Sequence, residues 1–452
     1  MLFNYFLFLT NISLLLNNAL AWITEEEYIG RETFDYDIYL QEPEEDRVLL
    51  GSNSKLYLAE SDQYGSIKYK TLSYPVPSLK SQSTTHQKSQ TKTKSTLGSD
   101  TLYPQILAVL DYENYIAYDK NIEKIAHSMA GFWNIVDLRY RTWKDPHIRL
   151  HLAGVVIPTN PNAVPYLTNT IGNKVSDPKP LEAMKQAGIY FFENLNSTQE
   201  IPRNSYDVVM LLTNRFLKEG AGLGGVGGAC FGKWSTAIMT HRPKRENDYW
   251  IAAGAAHELG HLFGAQHDGE ETAKSCHANA GHVMSGNRGR NAFTWSECSI
   301  RDMRTFFKSD RAQCLKNKPN IGTPYPRILP GLFTTRDQQC KDQYRFGAPS
   351  LFADVTVDNQ LKQCYTQPCS IIYNGQKRNV DFPLPPLDGT SCGKDKLLYN
   401  VQKYFTYTLL PHACMEVSAN GRKIDELTPL LLKPRGTDVF NEELLSFVSD
   451  VH

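Results

Sequence analysis

The sequence predicts an α/β protein, a sheet whose strands alternate with helices, followed by a small, disulfide-rich, loop-rich C-terminal unit. Three observations carry this. From residue 101 to about 263, short apolar runs of strand length alternate with longer stretches whose apolar residues recur at helical spacing. Beyond about residue 320 that pattern fades, and Pro, Gly and Cys take over. Five of the nine cysteines lie beyond residue 320, where a core too small to hold itself needs cross-links.

The elements follow in order. Ile106–Leu110 is an apolar run of buried-strand length. Asn121–Arg141 sets Ile122, Ile125, Met129, Phe132, Ile135 and Val136 at helical spacing. Ile148–Ile157 reads as a strand, Leu181–Leu195 as a helix, Val208–Leu212 and Trp234–Met239 as further strands, and Asn247 to Phe263 as a helix. Upstream, Val48–Leu50 and Lys55–Leu58 are short strand candidates in a segment too small for much of a core. Residues 78–100 are rich in Ser, Thr, Gln and Lys, with almost nothing to bury, which predicts a flexible linker. Its Lys80, Lys88, Lys92 and Lys94 are expected to be solvated rather than to form a binding patch. Residues 22–100 are thus expected to be a short pro-segment and Ser/Thr/Lys-rich linker. No internal repeat is evident.

The chain has 452 residues, long enough for two or three folded units. Lys plus Arg and Asp plus Glu each number 48, so no global field favours nucleic acid or an anionic membrane. Residues 1–21 read as a secretory signal: an apolar run from Leu2 to Leu16, then Ala19-Leu20-Ala21 as a small-x-small cleavage pattern. A membrane anchor is the rival, weakened by Asn4, Asn11, Asn17 and Asn18. No later segment has the ~18 unbroken apolar residues that a spanning helix needs. The expectation is a secreted, extracellular protein with no membrane span and no nucleic-acid partner. No CxxC pair occurs, so disulfides are the default use of the cysteines. Nine is odd, which leaves one thiol free, paired with another chain, or without its partner. Asn196-Ser197-Thr198 is a glycosylation sequon in a polar turn.

Residues 257–268 read HELGHLFGAQHD. On a helix, His257 and His261 share one face a turn apart, where two imidazoles converge on one ion. Glu258 lies too far round to complete that ligand set, yet it reaches a water at the metal. His267 supplies a geometric test. Six residues past His261 a continuing helix has rotated by about 600°, off the metal face. The helix must therefore stop, and Gly264 stands where a glycine accepts the left-handed conformation that ends a helix. Three histidines and a water make a catalytic zinc site with an open position. Upstream of it, Gly222, Gly224 and Gly227 fall in GxGxxG spacing. A β-like run follows instead of a helix, so a nucleotide site is discounted.

HELGHLFGAQHD resembles the zinc signature of the metzincin metalloproteases, with Met284 in His282-Val-Met-Ser285 similar to their methionine turn. Asp268 after the third histidine resembles the reprolysin (adamalysin) branch. Tyr103–Tyr112 is similar to that branch's first strand, and Trp234–His241 to the strand before the active helix. The match covers residues 101–318. The resemblance implies an α/β metzincin fold, with a twisted mixed sheet and an active-site helix. It also implies zinc held by His257, His261 and His267, with Glu258 as the general base that takes a proton from water and passes it to the leaving amine. Asp268 would orient the site, and Met284 would pack beneath the imidazoles. Further implications are disulfides Cys230–Cys314 and Cys276–Cys298, and a structural calcium held by Gln105, Asp207, the Cys314 carbonyl and Asn317. Gln105 stands where the family usually has Glu, which removes a charge. Gly224–Ala229 resembles the edge strand that pairs with extended substrate. Residues 331–415, with Pro386–Gly393 the most telling stretch, resemble a shortened disintegrin-like, cysteine-rich region of ADAMTS-like proteins; residues 416–452 are a C-terminal tail. Residues 22–100 contain no cysteine, so a thiolate blocking the zinc is not available. Substrates would be extracellular proteins. The rivals are a non-catalytic binding protein on the same fold, which has no need of Glu258, and a cytosolic metallopeptidase, which sits poorly with the cysteine count.

Overall fold

In the computed structural model, a seven-stranded mixed sheet is built from β1 (Lys55–Ser61), β2 (Ile67–Ser73), β3 (Gln105–Leu110), β4 (His151–Pro158), β5 (Val208–Thr213), β6 (Gly222–Gly224) and β7 (Thr236–Thr240). Their spatial order is β2-β1-β4-β3-β5-β7-β6. The structure describes residues 49–75, 101–143, 145–169, 179–195, 201–215, 217, 222–243, 248–287, 291–325, 330–332, 334–343, 350–352, 367–373, 375–382, 386–393, 396–400 and 412–416. The signal at 1–21, the linker at 78–100 with its lysines, the Asn196 sequon, Cys364 and the tail from residue 417 on lie outside these.

Strands β3, β4, β5 and β7 pair in parallel, and every residue in them is buried. A parallel sheet is covered on both faces, which is why these strands read as continuous apolar runs. One face packs against the helices Ile122–Tyr140 and Asp248–Leu262, around Phe132, Trp133, Tyr140 and Phe263. Asn121 caps the first of these, its side chain accepting from the Lys124 amide. The other face is covered by the helix Pro180–Ile189 and the wider turn Tyr190–Asn194 that continues it, through Met184, Ala187 and Phe191. The strand expected at Trp234 starts at Thr236, because Gly232–Trp234 forms a 3-10 turn first.

The sheet does not begin at residue 101. β1 lies parallel to β4, with Lys55 opposite Gly154 and Ala59 opposite Pro158, and β2 returns antiparallel to it. Leu56, Tyr57 and Ala59 are buried. Amides of Ser52 and Asn53 donate to the carbonyls of Thr323 and Ile321, both at 3.0 Å, and the Tyr325 amide donates to the Leu50 carbonyl at 2.9 Å. Residues 49–75 are therefore built into the sheet and stitched to the far end of the same unit. The sequence expectation of a segment with little core considered these residues alone; their apolar partners are supplied by β4.

Beyond residue 330 the described residues hold more strand than a loop-rich unit implies. Ser350–Phe352, Gln367–Tyr373 and Gln376–Phe382 make one three-stranded sheet; Ser391–Gly393, Lys396–Asn400 and His412–Glu416 make another. The Cys340–Cys369 disulfide ties the helix Arg336–Gln343 to the first of them.

Candidate metal centre

The helix Asp248–Leu262 is apolar on every side that contacts the core, and it ends where the ligand spacing requires. Gly264 has φ +100°, its amide donates to the His261 carbonyl at 2.8 Å, and Ala265 donates to Gly260 at 2.9 Å. This pair of bonds is the Schellman termination that a left-handed glycine allows. The loop after β6 adds two more bonds: Gly227 donates to the same His261 carbonyl at 2.8 Å, and Ala229 to the Leu262 carbonyl at 3.0 Å. The chain doubles back through Gly264 and carries His267 to the first two histidines.

The three Nε2 atoms form a nearly equilateral triangle, with His261 and His257 3.1 Å apart and His267 3.2 Å from each. Each Nδ1 faces an acceptor: the Val283 carbonyl for His257 at 2.7 Å, the Ala265 carbonyl for His261 at 2.8 Å, and the Glu270 carboxylate for His267 at 3.2 Å. Carbonyl and carboxylate oxygens only accept, so each neutral ring carries its proton on Nδ1. Three bare Nε2 lone pairs then point at one another, an arrangement that repels unless a cation lies between them. Nitrogens around a tetrahedral ion at ~2.0–2.1 Å are about 3.3–3.4 Å apart, close to the spacing observed. Burial lowers the His261 pKa to about 4, which keeps it a neutral ligand. Among the described residues, this is the one group of three or more His, Cys, Asp or Glu side chains placed to hold a metal.

The other expected residues take defined places. Glu258 is buried on the same helix, next to His257. Met284 is fully buried, and a Cβ at Gly260 would lie 2.7 Å from its sulfur, so the helix presses on it through a glycine. Asp268 is buried, accepts from Ser285 at 2.9 Å and from Ser296 at 2.5 Å, and donates its amide to the Met284 carbonyl at 3.1 Å. It thus ties the third-histidine segment to the turn beneath the metal. Cys230 is bonded to Cys314 and Cys276 to Cys298.

Two expectations change. Gly224–Ala229 is not the edge strand; that is Gly222–Gly224, antiparallel to β7, and the chain turns at Gly227 with φ +65° to cap the helix. The calcium set is also not a match. Gln105 and Asp207 do meet, the Gln105 amide donating to the Asp207 carboxylate at 2.9 Å. Asp207, Cys314 and Asn317 line a cavity of about 280 Å³, but Arg203 lines it too. Burial pushes the Asp207 pKa up to about 7, against the Gln105 amide bond and Arg203, which lower it. The Gln105 Nε2 is buried with no hydrogen-bond partner. One carboxyl group in a cavity that a guanidinium also lines does not fit a cation whose affinity follows its count of carboxylates.

Sequence reasoning missed the acceptors at Val283 and Ala265, because any residue can supply a carbonyl. It missed Glu270 as well, although a carboxylate three residues past a ligand histidine is a usable signal.

A histidine triad on a glycine-ended helix, over a buried methionine and beside a mixed sheet, defines a metzincin-type metal centre. Residues 103–319 match the reprolysin (M12B) family of zinc metalloproteases, and the chain carries a domain of that family. It is 33% identical to "A disintegrin and metalloproteinase with thrombospondin motifs like" of Bombyx mori, over 67% of this chain and 44% of that protein. It is 28% identical to "A disintegrin and metalloproteinase with thrombospondin motifs 13" of Homo sapiens, over 56% of this chain and 17% of that one. Identity to "Venom metalloproteinase 3" of Eulophus pennicornis is 27%, over 48% and 52%. The chain therefore spans about half or less of the length of these relatives.

Proposed function

We propose that this chain is a secreted zinc endopeptidase that hydrolyses peptide bonds of extracellular proteins, with Glu258 as general base. The observation that carries the reading is the convergence of three unprotonated imidazole nitrogens beside a buried carboxylate. His257, His261 and His267 would hold zinc, which supplies Lewis acidity towards a water and a peptide carbonyl. Glu258 removes the proton from the attacking water and returns it to the amine that leaves, a role for which a carboxylate next to the first ligand is in reach. Asp268 and Glu270 hold the third ligand's segment and ring. The substrate lies extended along β6, the terminal strand of the sheet, where main-chain pairing gives affinity with little sequence preference. Secretion rests on the signal-like residues 1–21 and on the disulfides. Residues 331–415 are assigned as a shortened disintegrin-like, cysteine-rich region. Calcium is not part of the proposal.

The test is a peptide-cleavage assay on the full chain, paired with metal analysis. One zinc per chain and cleavage abolished by a chelator, then restored by zinc, are expected. Glu258→Gln should keep the zinc and lose about 10²–10⁴-fold in kcat. Cleavage that persists without metal, or a zinc-loaded Glu258→Gln variant with full activity, would overturn the reading.

A further inference from the structure

The edge strand β6 holds two glycines, Gly222 and Gly224, separated by Leu223. Side chains in a strand alternate between faces, so the two glycines share one face and Leu223 the other. Leu223 packs with the cluster on the far side of the sheet, near the helix Pro180–Ile189. The glycine face is turned to the zinc helix, at Glu258. A Cβ at Gly222 would lie 2.5 Å from Glu258 Oε1, 2.7 Å from Cδ and 2.8 Å from Cγ. At Gly224 it would meet the Glu258 carbonyl oxygen at 2.7 Å. Non-bonded carbon contacts lie at ~3.5–4.0 Å, so neither position has room for a methyl group.

The usual reason for glycine does not apply. Neither residue has a left-handed backbone, unlike Gly227 three residues further on. What these positions require is clearance, and the two differ in what they clear. Gly224 faces chiefly the helix backbone, with Glu258 Oε2 further off at 3.4 Å. Gly222 faces the end of the Glu258 side chain, the group assigned as general base.

We infer that Gly222 is a positioning residue for the Glu258 carboxylate. The space left by its missing side chain is the space that the carboxylate occupies, and any side chain at 222 drives the carboxylate off line. The inference rests on the peptidase reading above and deepens it. Because the colliding atoms, Oε1, Cδ and Cγ, all belong to the Glu258 side chain and none to a backbone, rotation of that side chain relieves the clash and the strand and helix need not move. Gly222→Ala therefore displaces the base while leaving the ligands and fold in place. Gly225, immediately after the same strand, has open space where a Cβ would stand, with nothing within 4 Å, and serves as the control.

The experiment compares the zinc-loaded full chain with Gly222→Ala, Gly225→Ala, Glu258→Asp and the Gly222→Ala/Glu258→Asp double variant. Zinc content, melting temperature, kcat and KM on one peptide substrate are measured. Gly222→Ala should keep its zinc and its melting temperature, and lose about 100-fold in kcat, the scale of a misplacement near 1 Å. Its KM should stay within about threefold, and Gly225→Ala should match wild type within about twofold. Glu258→Asp withdraws the carboxylate by one methylene, so adding Gly222→Ala to it should cost less than about tenfold, a non-additive pair. A zinc-loaded Gly222→Ala variant with near wild-type kcat overturns the inference. So do fully additive effects, and so does a Gly222→Ala variant that loses zinc or melts early, since these mark a merely structural glycine. A wild-type zinc form that cleaves no peptide overturns the peptidase reading and this inference with it.

Discussion

The two edges of the sheet are finished in opposite ways. One ends in the hairpin β1–β2, two seven-residue strands paired along their full length, with Lys68 and Lys70 exposed on the outer strand. Lysines on an edge discourage a further strand from joining. The other ends in β6, three residues long and with no charged side chain, lying across Glu258. An unguarded edge is a liability in most proteins and a binding surface where an extended chain is to be held. Function in this fold is therefore to be sought at the edge left short and small, beside the helix that carries His257 and His261, and not at the edge that was built out and closed.

This contrast fails if the long edge is dispensable. Leu56 on β1 is buried in the principal core with Leu152 and Val155 of β4. Leu56→Ala should lower unfolding free energy by about 2–5 kcal/mol while leaving kcat unchanged, as read by denaturant unfolding and turnover of the zinc form. Almost no loss of stability would show that β1 is not needed to hold the domain, and the contrast between the edges would fall.

At the short edge the third ligand makes the contrast quantitative. His257 and His261 are oriented by backbone carbonyls, which mutation cannot remove, whereas His267 depends on the Glu270 side chain. Glu270→Ala should weaken zinc binding by about 10–100-fold, measured by competition with a chromophoric chelator, with melting of the zinc-saturated form little changed. Equal affinity in the variant would show that the ring is held by the loop after Gly264 without help from the carboxylate.

How much of this was legible in the sequence follows from the range of the interactions. The triad and the stop at Gly264 were legible because His257 to His267 span only eleven residues, where rotation per residue fixes the geometry. The four central strands were legible because burial on both faces leaves an unbroken apolar run. The pairing of β1 with β4 was not, since Lys55 and Gly154 are far apart in the chain and the short run Lys55–Leu58 is ambiguous without its partner. The true edge strand fell two residues early because glycines carry no hydrophobic pattern. Gly222 is a glycine for the sake of Glu258, a contact that only the folded chain presents.

The smallest expected effect lies between the two edges, where β3 begins and β5 is about to begin. The Asp207 carboxyl, ordinarily near 3.8, is raised to about 7 by burial. The folded state therefore binds a proton that the unfolded chain releases, and wild type loses stability as pH rises from about 4 to about 7. Asparagine at this position does not titrate and still offers an oxygen to the Gln105 amide. The gain in melting temperature of Asp207→Asn over wild type should accordingly be larger at pH 8 than at pH 4. Millimolar calcium at pH 8 should shift neither protein. Calcium bound there would reverse both signs: it would favour the ionised carboxylate, raise the wild-type melting temperature, and make Asp207→Asn the less stable of the two. That pattern would restore calcium to this domain, and would mean that Arg203 swings out of the cavity to admit it.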